Sequence, residues 1–232
     1  MSQLQVQHLD AFYGDFQALF DVSLDIEQGE AVAMIGANGA GKSTLMKALA
    51  GQVSVSDDAI QFKGHALGRA DAPTMVNHGL VMVPEGRRLF PSLTVEENLR
   101  IGNHSERRGY WDLQRVYELF PILEERRANP GTALSGGQQQ MVAIGRGLMS
   151  NPDLILFDEI SLGLAPTMIK DIYNVLPRIR AEGTTVVVVE QDINQALAVS
   201  DRFYCFQEGR VSLSGRPGEV DRETIKNAYF GV

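Results

Sequence analysis

Alternation opens the chain. Leu4 and Val6, then Val22, Leu24 and Ile26, stand apolar between polar neighbours, the period-two pattern of half-buried antiparallel strands. From Ala31 to Ile35 the alternation gives way to an unbroken apolar run, which predicts a strand buried on both faces. Glycines follow, and Leu45 and Leu49, four apart, predict a helix over residues 42–50. Further on, prolines at 84, 91, 121, 130 and 152 punctuate short helical patterns over residues 95–101, 112–120 and 136–149. Strand patterns resume at 154–157 and 184–189, separated by a helix from about 167 to 181. The pair Glu208-Gly209 reads as a two-residue turn between hairpin strands at 203–206 and 211–213. The pattern predicts a mixed α/β core with a helical block inserted: residues 1–84 and 152–232 form the core, and 85–151 the insertion.

Composition narrows the class. The 232 residues are 44% hydrophobic and 22% charged, ordinary globular values that exclude disorder and fibres. Twenty-nine acids against 21 bases give a formal net charge of −8, which argues against nucleic acid as a partner. The single cysteine, Cys205, excludes a disulfide framework and a cysteine zinc site and fits a reducing cytosol. No apolar run approaches the roughly 20 residues of a membrane span. Six carboxylates precede Lys42, the first Lys or Arg, the opposite of a secretory signal. The expectation is a soluble intracellular chain that reaches a membrane only by binding something that spans it.

Three sites carry candidate chemistry. Gly36, Ala37, Asn38, Gly39, Ala40, Gly41, Lys42 and Ser43 fit the phosphate-loop spacing, two glycines flanking four residues and then Lys-Ser, between a buried strand and a helix. Such a loop curls its N–H groups inward onto phosphate oxygens, the helix N-terminus adds its positive end, and Lys42 and Ser43 reach phosphate and metal respectively. Asp158 and Glu159 close the apolar run 154–157, the arrangement of a Mg²⁺ ligand and a base that polarises water. Ser135, Gly136, Gly137 and Gln138 open a helix. Locally Ser135 and Gln138 make a capping box, and equally the two glycines expose helix N–H groups to an outside anion presented by another subunit.

Taken in order, Gly36 to Thr44, the Leu134-Ser135-Gly136-Gly137-Gln138 string, the strand ending in Asp158-Glu159, and the segment from Ser161 to Ala165 resemble the ATP-binding subunits of ABC transporters along essentially the whole chain. The resemblance implies an ABC-type P-loop NTPase core with an N-terminal antiparallel β subdomain and an inserted helical subdomain. It implies two cassettes with ATP and Mg²⁺ between them, each phosphate loop facing the partner's signature residues, and Tyr13 stacked on adenine.

Two positions depart from the general cassette pattern. Glu85 stands where most cassettes carry the Gln that senses Mg²⁺, and Gln191 where most carry a switch His. An ionised Glu85 favours the metal over donation to phosphate, and Gln191 keeps a donor and an acceptor without titrating. Ile160 replaces a usual Pro, predicting a less rigid loop there. The stretch Val83 to Leu99 and the Val189-Glu190-Gln191 triplet are similar to one of the two ATPase subunits of branched-chain amino-acid importers. That implies Glu159, Gln191 and Lys42 in catalysis, and Ser43, Glu85 and Asp158 at the metal. The implied partners are two membrane-spanning permease subunits, a second cassette and, indirectly, an extracytoplasmic binding protein, with the chain peripheral on the cytoplasmic face of the inner membrane. Leu89, Phe90 and Leu93 are expected at the permease contact. A clamp or regulator without a transporter is the alternative.

Overall fold

The opening alternation folds into a long hairpin in the computed structural model, which describes residues 2–105 and 107–230. β1 (Ser2–Tyr13) and β2 (Phe16–Glu27) pair antiparallel from Ser2↔Glu27 to Tyr13↔Phe16. Their inward face changes from Leu4 and Val6 to Leu9 and Ala11, an even-to-odd switch that strict alternation does not contain. The switch falls at His8, whose φ is +47°; its N–H donates to Ser23 Oγ at 3.0 Å and its Nδ1 lies 2.6 Å from Asp21 Oδ1. One inserted residue suffices to turn a strand over.

β3 (Ala31–Gly36) is buried throughout. Val32 and Met34 enter one hydrophobic cluster and Ala33 and Ile35 the other, which explains the unbroken apolar run. The chain continues through α1 (Lys42–Leu49), β4 (Ile60–Phe62) and β5 (His65–Ala66), and the first sheet has the order β2-β1-β4-β5. After α2 (Ala72–His78) and β6 (Leu80–Val83) come four helices in succession: α3 (Val95–Ile101), α4 (Leu113–Leu119), α5 (Pro121–Glu125) and α6 (Gly136–Leu148). They precede β7 (Leu154–Asp158), which pairs parallel with β6. The helical block therefore occupies a single crossover of the sheet. α7 (Pro166–Ala181), β8 (Thr185–Val189), α8 (Ile193–Ala198), β9 (Arg202–Gln207), β10 (Arg210–Gly215) and α9 (Arg222–Phe230) complete the fold.

The second sheet has the order β10-β9-β3-β8-β7-β6, parallel except for β10. Between β9 and β10, Glu208 and Gly209 have φ of +47° and +76°, the two left-handed residues of a type I′ turn. This turn also joins the sheets: Phe20 N–H donates to Gly209 O at 2.9 Å, and Gly209 N–H donates to Ala40 O at 3.0 Å. α2, α8 and α9 have no counterpart in the sequence pattern. Each buries one apolar residue (Met75, Ala196 and Ile225), too few to make a periodic stripe.

The start of the insertion hangs on one amide. Thr94 and Glu97 form the capping box of α3. Asn98, fully buried, donates to the carbonyls of Phe90, Leu93 and Thr94 at 3.2, 3.2 and 2.9 Å and accepts from Phe90 N–H at 2.9 Å. Replacing it by alanine strands several buried backbone groups at once. Asn98→Ala is expected to lose about 3 kcal/mol in urea denaturation, against under 1 kcal/mol for an exposed alanine substitution on the same helix.

Candidate functional site

The phosphate loop takes its shape from glycine. Gly41 has φ +103°, and a Cβ there would stand 2.6 Å from Leu19 Cδ2; at Gly36 a Cβ would run into the Phe206 carbonyl. Ala40 N–H donates to Ala37 O at 3.1 Å, and Leu45 N–H makes the first helical bond, to Gly41 O at 3.0 Å. The earlier N–H groups of α1 have no intrahelical acceptor and carry the positive end of its dipole, so the loop presents an anion cradle. Lys42 is buried, and its Nζ donates to Gly36 O at 2.6 Å and Ala37 O at 3.0 Å. Burial pulls its pKa down, while the charges of Glu159 and Asp158 pull it back up.

β7 and β8 bring the acids alongside. Asp158 ends β7 opposite Val189, is 4% exposed, and its Oδ1 is buried with no hydrogen-bond partner among the described residues. Burial, then the charges of Glu159 and Glu85, push its carboxyl up to about 6 against the pull of Lys42. A buried carboxylate oxygen with open coordination, set among further acids, fits a small divalent cation. Among the described residues no cluster of three His, Cys, Asp or Glu side chains is placed to hold a metal unaided. The arrangement suits Mg²⁺, which takes one or two carboxylates and completes its shell with water and phosphate.

Glu159 has φ +48°, a left-handed conformation that costs a non-glycine residue on the order of 1 kcal/mol. Its N–H donates to Val189 O at 3.0 Å, and its Oε2 accepts from Gln191 Nε2 at 2.7 Å. Between those two partners lies Glu190, 2% exposed, which accepts from Ser161 Oγ at 2.6 Å and Ser161 N–H at 3.3 Å. Burial raises the Glu190 carboxyl, and hydrogen bonding to Ser161 opposes the rise. Ile160 is buried in the core rather than free, so the loop that sequence predicts to be less rigid is anchored by packing and by Ser161.

These elements open on one cleft of about 960 Å³. Tyr13, Asn38, Gly39, Gly41, Lys42, Ser43, Thr44, Glu85, Glu159 and Gln191 all line it, and Tyr13, 45% exposed, stands at its rim with Lys47 Nζ 6.0 Å from the ring centre. Gly36, Ala37, Ala40 and Asp158 do not line the cleft. Phe16, Ala18, Phe20 and Leu162 line the cleft without having been singled out in the sequence, and Glu208, expected only as a turn residue, lines it too. Alternation extended back from Val22, Leu24 and Ile26 would place Phe16 on the inward face; a register shift along the hairpin turns it outward, so the sequence pattern could not have found it.

Ser135, Gly136, Gly137 and Gln138 do not line this cleft. They form the expected capping box at the start of α6, with Gln138 N–H donating to Ser135 Oγ at 3.3 Å and Ser135 N–H to Gln138 Oε1 at 3.0 Å. A second, apolar groove of about 800 Å³ lies where α2, β6, α3 and α6 meet. Of Leu89, Phe90 and Leu93, Phe90 lines it and is 46% exposed, whereas Leu89 packs on the core and Leu93 does not reach it.

A family model described as ABC transporter matches residues 19–161, more than half of the chain. The chain belongs to the ABC transporter family. It is 43% identical to the high-affinity branched-chain amino acid transport ATP-binding protein BraG of Pseudomonas aeruginosa, over 98% of this chain and 99% of that protein. It is 30% identical to the probable branched-chain amino acid transport ATP-binding protein LivF of Archaeoglobus fulgidus, over 99% of each. A nucleotide-free ATP-binding cassette from an ABC transporter superposes with a TM-score of 0.81 at 28% identity, covering 100% of this chain and 96% of that one. A dimeric cassette in a post-hydrolysis state, bound to ADP and phosphate, superposes with a TM-score of 0.81 at 26% identity, covering 92% and 98%. The cassette is thus an ATP-binding, ATP-hydrolysing fold, and no helix among its described residues is long and apolar enough to cross a membrane.

The crowding at Gly41 gives a direct check on the cradle. Gly41→Ala combines a forbidden φ with a collision against Leu19, and is expected to weaken binding of a fluorescent ATP analogue at least tenfold, equivalent to about 1.4 kcal/mol or more.

Proposed function

We propose that this cassette hydrolyses ATP to drive import of branched-chain amino acids. The observation that carries the substrate class is the end-to-end match to BraG, supported by LivF. In this reading the cassette sits peripherally on the cytoplasmic face of the inner membrane beneath two permease subunits, served by an extracytoplasmic binding protein. The core, residues 1–84 and 152–232, holds the nucleotide, and the insertion, 85–151, carries the signature. The apolar groove around Phe90 is the natural seat for a permease segment, because it is an exposed apolar concavity.

The geometry supports the following roles. Tyr13 stacks on adenine, residues 36–44 wrap the phosphates with backbone N–H groups, and Lys42 neutralises charge on the terminal phosphates. Mg²⁺ would be held by Ser43 and Asp158 with Glu85 nearby, and supplies charge neutralisation to the phosphate oxygens when bound. Glu159 accepts the proton of the attacking water, and Gln191, whose amide already donates to its carboxylate, keeps that carboxylate aimed. Chemistry of this kind is positioning and electrostatics, without a covalent enzyme intermediate. The signature residues lie outside the cleft. Ser135, Gly136, Gly137 and Gln138 therefore serve the nucleotide of a second cassette, a sister chain or another copy, and a cassette dimer is the state of a related solved structure. ATP held from both sides joins the two cassettes, and hydrolysis releases them.

Glu159→Gln is expected to bind ATP as tightly as the unaltered chain while steady-state turnover falls at least about a hundredfold, leaving a cassette dimer that persists on a sizing column. Lys42→Ala is expected to lose nucleotide affinity as well as turnover. Affinity purification of the tagged chain from gently solubilised membranes should recover two multi-spanning subunits and a second cassette, and Phe90→Ala should reduce that recovery without altering ATP binding. Recovery of the chain with no membrane subunit would remove transport from the assignment.

A further inference from the structure

Glu159 keeps left-handed backbone without being glycine, and no proline fixes the chain between it and Gly163. A residue so placed persists only where its surroundings over-determine it. The end of β8 does this with three successive residues. Val189 O accepts from Glu159 N–H at 3.0 Å, and Gln191 Nε2 donates to Glu159 Oε2 at 2.7 Å. From between them, Glu190 reaches two residues further along the opposite loop and accepts from both the N–H and the hydroxyl of Ser161.

Ile160, between the two gripped residues, is buried in the core and leaves the segment no slack. Glu190 does not line the nucleotide cleft; it lines a smaller cavity that shares Glu159 and Gln191 with it, and its hydrogen bonds go to Ser161 on the loop that carries Glu159. Nor is it a surface acid caught by chance: a carboxylate withdrawn from water requires donors, and Ser161 supplies two.

We infer that Glu190 is a positioning residue for ATP hydrolysis: through Ser161 it fixes the backbone on which Glu159 stands, forming with Gln191 a two-point clip on either side of Ile160. Gln191 sets the direction of the Glu159 carboxylate, and Glu190 sets the chain that carries it. The inference rests on the reading of Glu159 as the base.

The test compares Glu190→Ala, Ser161→Ala, their double variant and Glu190→Gln in the full-length chain, with Glu159→Gln as control, reading kcat, KM for ATP and the thermal midpoint. Each alanine variant is expected to lower kcat about tenfold with KM held within about twofold, and the double variant to fall no further, because both changes break one link. Glu190→Gln, which still offers Ser161 an acceptor, should recover most of the rate. Unchanged kcat in folded Glu190→Ala or Ser161→Ala overturns the clip, as do losses that multiply in the double variant, or a KM that rises in step with a falling thermal midpoint. Should Glu190→Ala fail to fold, Ser161→Ala and Glu190→Gln carry the same comparison. An inactive Glu159→Gln beside fully active clip variants overturns the role of Glu190 alone; a Glu159→Gln that turns over normally removes the base, and the positioning role with it.

Discussion

Parallel pairing leaves strand ends level, and the site depends on that constraint. Met34 pairs with Val189, Asp158 with Val189, and Val83 with Phe157, so four strands finish in one row. Whatever follows each strand by a residue or two must gather there: the phosphate loop after β3, Glu159 after β7, Glu190 and Gln191 after β8, and Glu85 after β6. None of these groups needs a long excursion to meet the others. The same geometry explains why β3 must be apolar on both faces, since the strand that delivers the loop lies between two hydrophobic clusters.

What was legible in the sequence was local. The phosphate loop is one contiguous run, the capping box of Ser135 and Gln138 spans four residues, and the Glu208-Gly209 turn is set by the backbone freedom of its own two positions. Where a residue's role depends on a partner far along the chain, the pattern is silent. Glu190 meets Ser161 across 29 positions, and Phe16 and Phe20 enter the cleft only because the two sheets are joined at Gly209. Asn98 looked like one polar residue on a short helix, and its value lies in the carbonyls folded around it. Of the three residues expected at a permease contact, the fold exposes Phe90 in an apolar groove, whereas the insertion's own packing claims Leu89.

Charge at the site is balanced by burial as much as by pairing. Lys42 is drawn toward its neutral form by desolvation and back by two acids, and Asp158 is drawn toward its neutral form by the same desolvation and by like charges. An incoming polyphosphate with its cation changes every one of these balances at once. Gln191 contributes by what it lacks. A histidine beside Glu159 would bring a titration near neutrality, whereas an amide donates at any physiological pH, so the aim of the carboxylate does not vary with the proton concentration.

The turn at Gly209 touches β2 through its carbonyl and the phosphate loop through its N–H. A two-residue connection thereby ties the β2 wall of the cleft to the loop that opens α1. Neither sheet can breathe away from the other without unfastening both ends of the nucleotide cleft. The amides of the N-terminal hairpin and of the phosphate loop should consequently exchange with solvent as one cooperative unit, and a bound nucleotide should slow them together.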